Sequence, residues 1–153
     1  MRNLSVAFEI LLTGAIAPVG WKKSSGHFIW DINIDFTQKA CWVKYGHRTP
    51  DPKESNYYCV VSTDSARIAL TYADLNDVDV TAANIQNAYL QATSYEKHYV
   101  IFRKEFGLKH EGKIDLIRCA LYGGKLAGMD FWNHLRSCMT FLVFKSCQAD
   151  PEI

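Results

Sequence analysis

Val78-Asp79-Val80-Thr81-Ala82-Ala83-Asn84-Ile85-Gln86-Asn87-Ala88-Tyr89-Leu90-Gln91-Ala92 is the stretch on which the fold turns. Val78, Val80, Ala82 and Asn84 recur at period two, the spacing that puts side chains on one face of a strand, so the pattern predicts a strand over Val78 to Ile85. Its apolar row ends on the amide of Asn84. Gln86-Asn87-Ala88 then supplies turn-competent side chains, and Tyr89-Leu90 restores apolar character a few residues later, as in a strand that breaks into a bend beneath a site.

Upstream, Val6 to Leu12 reads as a strand and the residues from Thr13 to Gly20 as a loop. His27 to Ile34 alternates and is answered, after Asp35-Phe36-Thr37, by Ala40 to Tyr45, which predicts a hairpin. Gly46 to Asn56, with Thr49-Pro50-Asp51-Pro52, is a rigid polar connector. Tyr57 to Val61 is a short β-run. Ser62-Thr63-Asp64 provides N-cap candidates for a helix to about Asn76, apolar around most of its circumference and so expected to be mostly buried. Downstream, strands are expected at His98 to Arg103 and Lys113 to Ala120. A Leu121-Tyr122-Gly123-Gly124-Lys125 break follows, then a helix from about Gly128 with Phe131, Leu135, Met139 and Leu142 down one face. Fold class is therefore α+β.

The 153 residues amount to one domain, and with 48% apolar residues they carry enough for a packed core. Seventeen Lys and Arg against sixteen Asp and Glu leave no general electrostatic footprint for nucleic acid, so any such contact needs a local patch. The five cysteines are odd in number and contain no Cys-x-x-Cys, which predicts reduced, buried thiols in a cytoplasmic or nuclear protein and argues against zinc. Glu9 interrupts the apolar stretch at the N-terminus, and no run approaches the roughly 20 apolar residues of a membrane span. No membrane association is expected.

Asn84 with Asp79 and Asp77 reads either as a depleted carboxylate cluster or as ordinary strand and turn polarity, and spacing alone favours the second. Tyr89, on composition alone, is a core aromatic. Gly123-Gly124-Lys125 lacks the spacing of a nucleotide P-loop and needs only to be a turn. Lys39, Lys44, His47 and Arg48, interleaved with Trp42 and Tyr45, make a mildly basic hairpin suited to backbone phosphates plus stacking, although solvated surface charge is the default. The histidines show no metal-ligand spacing.

Several of these segments, in this order, resemble copia-type retrotransposon reverse transcriptases. Thr37 to His47 is similar to the family's Lys-Ala-Arg fingers signature, with Cys41 in place of the Arg. The Ser62 to Leu75 helix resembles the one before the first palm motif, and Asn84 to Leu90 resembles that motif, with Asn84 where the metal-binding Asp stands and Tyr89 at the aromatic that screens the nucleotide sugar. Ala120 to Lys125 with Trp132 is similar to the Leu-Tyr-Gly-x-Lys…Trp segment, Met129 replacing the usual Arg, and Asp150-Pro151 to the Asp-Pro beyond it.

The resemblance implies a fingers-like hairpin region at about 1–56 and the first half of a palm at about 57–153. It implies nucleotide contact at Lys39, Tyr89, Gly124 and Lys125, with RNA or DNA template-primer as partner and Mg²⁺ as the family's cofactor. No Asp-Asp pair occurs in the chain. The second palm motif would lie beyond Ile153, and with Asn84 neutral no cofactor is expected to bind. The expectation is a truncated, inactive reverse transcriptase domain of a retrotransposon-derived polyprotein. The alternative is a small α+β nucleic-acid-binding or protein-interaction module that kept the fold without catalysis. The strand at Val78 to Ile85, left with an open edge, is expected to promote self-association.

Overall fold

A computed structural model describes residues 7–52 and 60–146. It is a mixed α+β fold with two sheets. Strand β1 (Phe8–Ile10) pairs antiparallel with β6 (Ile114–Ile117), β6 pairs antiparallel with β5 (His98–Ile101), and β5 pairs parallel with the two-residue β2 (Lys22–Lys23), giving the order β1-β6-β5-β2. The second sheet is the hairpin of β3 (Gly26–Ile32) and β4 (Gln38–Lys44), in register from Gly26 opposite Lys44 to Ile32 opposite Gln38. Asp35 closes its turn by accepting from Thr37 N and Oγ1 at 3.1 and 2.7 Å, and these bonds hold its carboxyl below the usual carboxylate range.

An aromatic knot joins the sheet to the base of the hairpin. Phe102 stacks on Phe106 with centroids 3.8 Å apart, and Phe8 meets Phe102 and Trp42 edge-on at 5.3 and 5.6 Å. Phe28, Val100, Ile117 and Leu121 complete this core. Burying each such ring removes enough apolar surface to contribute about 1.5–3 kcal/mol. A second, smaller cluster of Ala92, Ala120 and Ala127 lets the single-turn helix α2 (Ala88–Gln91) and the helix α3 (Ala127–Phe141) approach the sheet's end closely.

The helix α1 (Thr63–Leu75) has the expected cap: Ser62 Oγ accepts from Ser65 N at 3.0 Å. It stops where Asp77 turns left-handed and Val78 N bonds back to Ala73 O at 2.9 Å. Its expected burial is not met. Only Ala73 is buried, while Ile68, Tyr72 and Leu75 face solvent.

The strand expected at Val78 to Ile85 also fails. A strand needs a neighbour's backbone groups, and none of the six strands pairs with this run. The alternating run is left as an exposed segment between the left-handed residues Asp77 and Asn87, outside either sheet. It therefore offers no sheet edge of the kind expected. Of the Tyr57 to Val61 run, residues 57–59 lie outside the described residues, as do Cys147 and Asp150-Pro151, and Val60 and Val61 are exposed and not in a strand.

Candidate functional site

The junction between hairpin and sheet is built on two glycines. Lys44 N donates to Tyr122 O at 2.8 Å, stitching the end of β4 to the turn after β6. Gly46 then passes the backbone of Gly123, and a Cβ on Gly46 would overlap Gly123 O, while a Cβ on Gly123 would overlap Lys44 O. Gly123 also has φ +81°, a conformation L side chains rarely adopt. Both positions require the absence of a side chain.

This close approach turns the Lys44 side chain inward. At 4% exposure it is almost fully buried. Its Nζ donates to Glu96 Oε2 at 2.6 Å and lies 2.9 Å from His98 Nδ1. Burial and the neighbouring Lys44 charge, joined by Lys22, push His98 below the usual histidine range against the opposing pull of Glu96. Neutral His98 thus accepts from the ammonium at Nδ1 and carries its proton on Nε2. Asp130, in the first turn of α3, and Gly124 border the same buried space. A groove of about 280 Å³ opens beside Glu96 and His98, with Lys22, Lys97 and Asp51 in its wall.

Lys125 is committed as well. Its Nζ donates to Thr49 O at 2.8 Å and to Asp51 Oδ1 at 2.7 Å, and the contact holds the Asp51 carboxyl below its ordinary range. Tyr89 packs edge-on against Tyr122 at 4.7 Å and against Phe131 at 6.0 Å. Tyr89, Gly124 and Lys125 are therefore gathered around the Tyr122-Gly123 turn. Lys39 is not: it stands exposed on β4 opposite Asp31, five residues before Lys44 and so roughly 16 Å up the hairpin. Asn84 lies on the exposed segment before α2, and among the described residues no ion pair or ring contact joins it or Lys39 to the others.

The basic hairpin is reduced by these contacts. Lys44 is withdrawn and Trp42 belongs to the core, which leaves Lys39, His47 and Arg48 outside, with Tyr45 between the His27 ring at 4.9 Å and the Arg48 guanidinium at 4.7 Å. Among the described cysteines, Cys41 and Cys119 are half-buried and outside any disulfide, but Cys138 is exposed, contrary to the expectation of burial.

One further group escaped the sequence reading. Asp115, in the central strand β6, is 0% exposed, and neither carboxylate oxygen has a hydrogen-bond partner. Burial raises it to about 7, offset slightly by Lys113. An aspartate between two aliphatic neighbours gives no sign of this in sequence; the pairing with Ile10 on one side and Val100 on the other creates it.

Among the described residues, no group of three or more His, Cys, Asp or Glu is placed to hold a metal ion, and no helix is long and apolar enough to cross a membrane. No family model matches the chain, and neither curated proteins nor solved structures yield a match.

Proposed function

We propose that this chain is a catalytically silent relative of copia-type reverse transcriptases, corresponding to the fingers and the first half of the palm, and that its remaining capacity is weak contact with RNA or DNA template-primer in the cytoplasm or nucleus. The observation that carries this reading is convergence. The Lys44–Gly46 end of the Thr37 to His47 segment and the Ala120 to Lys125 segment, which carry two of the resembling motifs, meet through the Lys44–Tyr122 hydrogen bond and the Gly46–Gly123 approach, and Tyr89 of a third packs on Tyr122. Motifs far apart in sequence come to one place, as parts of one site would.

The residues do not fit the family's Mg²⁺. A hard, strongly hydrated cation needs anionic oxygen ligands, whereas Asn84 is neutral and exposed and the chain has no Asp-Asp pair. Lys125, already bonded to Asp51, is not free to hold a triphosphate. Catalytic silence follows from both.

The test has two arms. Primer extension on RNA and DNA templates with Mg²⁺ or Mn²⁺ is expected to give no incorporation, and extension that survives repurification would overturn the silence. Fluorescence anisotropy with labelled template-primer is expected to show salt-dependent binding that Lys39→Ala and Arg48→Ala weaken. No binding at 50 mM salt would overturn the retained contact. The second reading, a module that binds protein, is favoured by one observation: a large apolar surface on α1 and the far half of α3 faces solvent.

A further inference from the structure

Exposed apolar side chains occur on several parts of the chain, and two of the faces they form are helical. On α1, Ile68, Tyr72 and Leu75 recur at helical spacing and are all exposed, and at the end of α3 so are Met139, Phe141 and Leu142. A 13-residue helix with one buried residue does not stay folded on propensity alone, so α1 needs a surface to lie on.

Charge says which surface. From Ser62 to Ile85 the chain has Asp64, Asp74, Asp77 and Asp79 against Arg67, four negative and one positive, net −3. From Phe131 to Ser146 it has Arg136 and Lys145 and no Asp or Glu, net +2. The first segment is thus net acidic and the second net basic. We infer that two copies of this chain form a two-fold dimer in which α1 and the segment to Ile85 of each copy cover the second half of α3 of the other. A two-fold axis makes the contact twice, acidic segment on basic segment each time, and closes the assembly at two. The inference is independent of the polymerase reading, since it uses none of the residues at the Gly46–Gly123 junction.

Sedimentation equilibrium of the full chain at 1–100 µM and 50 mM salt is expected to give twice 17.4 kDa. Two double variants then test the pairing: Asp74→Lys with Asp79→Lys, and Arg136→Glu with Lys145→Glu. Each opposes like charges at both contacts and is expected to weaken its own dimer at least about ten-fold, an effect that 0.5 M salt reduces. Mixed one to one, they restore attraction at both contacts and are expected to recover a heterodimer. Hydrogen exchange of the unmodified chain reads the same surface without a variant: amides of 63–75 and 131–144 are expected to slow as concentration rises. A monomer throughout, assemblies without fixed stoichiometry, charge variants that dimerise like the parent, a mixture no better than its parts, or protection elsewhere would each overturn the dimer.

Discussion

Gly46 and Gly123 lie 77 positions apart in sequence, yet their backbones pass so closely that neither can carry a Cβ without striking a carbonyl oxygen. The contact is what fixes the hairpin to the sheet. Its obstacle in each case is backbone, which has little room to yield.

Gly46→Ala and Gly123→Ala are therefore expected to cost on the order of 3 kcal/mol or more each, the second through both overlap and positive φ. Gly14→Ala is the control. Gly14 also has positive φ, but a Cβ there meets nothing within 4 Å, so that change should cost only about 1 kcal/mol. Urea denaturation of the three variants checks the ranking, and equal losses would mean that the close approach contributes nothing.

Lys44→Met removes the cation and leaves Glu96 buried beside His98. Breaking a buried pair from one side costs about 3–5 kcal/mol, whereas replacing both partners by apolar groups is near neutral or stabilising. Lys44→Met with Glu96→Leu is accordingly expected to recover most of the loss. A double-mutant cycle by thermal denaturation measures it.

Asp115 should make stability fall as pH rises. Its carboxyl is held near 7 in the folded chain and ionises at about 4 when unfolded. Below about pH 4 both states are protonated and no penalty applies. Between about 4 and 7 the unfolded state loses its proton first, and stability declines until the folded group also ionises. Asp115→Asn is expected to raise stability at pH 8 by about 2–4 kcal/mol, little at pH 4, and to flatten this part of the profile. Histidine works in the opposite sense: His98 is held below its ordinary value, so its contribution is complete above about pH 6.5 and declines as pH falls below that.

Asn84→Asp is expected to leave templated synthesis at background. One restored carboxylate on an exposed segment lacks the partners that hold two cations. Steady incorporation by this single variant, in the primer-extension assay, would refute the account of silence.

Much of the local structure was legible in sequence, because it rests on short-range signals. Alternation from His27 and from Ala40 marked the hairpin, and Ser62 marked the start of α1. Strands β1, β5 and β6 and helix α3 fell near their expected places. What failed depended on neighbours. Alternation at Val78 to Ile85 describes a face but supplies no partner strand, and the apolar circumference of α1 calls for burial without supplying a surface. At the site, Tyr89, Gly124 and Lys125 came together while Asn84 and Lys39 stayed apart. The Lys44–Glu96–His98 cluster spans more than fifty positions, and nothing local in Glu96 or His98 announces a bond to Lys44.

The β1–β6 ladder sets Phe8 opposite Ile117, a closure across more than a hundred residues. Contacts of such high separation are slow to form, since the whole intervening loop must be ordered before the pairing stabilises it. On the ribosome the delay is enforced. At synthesis rates of about 5–20 residues per second, Phe8 waits roughly 5–20 s for its partner strand. Trp42 and Phe28 wait roughly 3–16 s for Phe102 and Phe106 to cover them. The nascent chain thus presents aromatic side chains seconds before the residues that cover them are made, a schedule that makes chaperone binding during translation an expected part of its biogenesis.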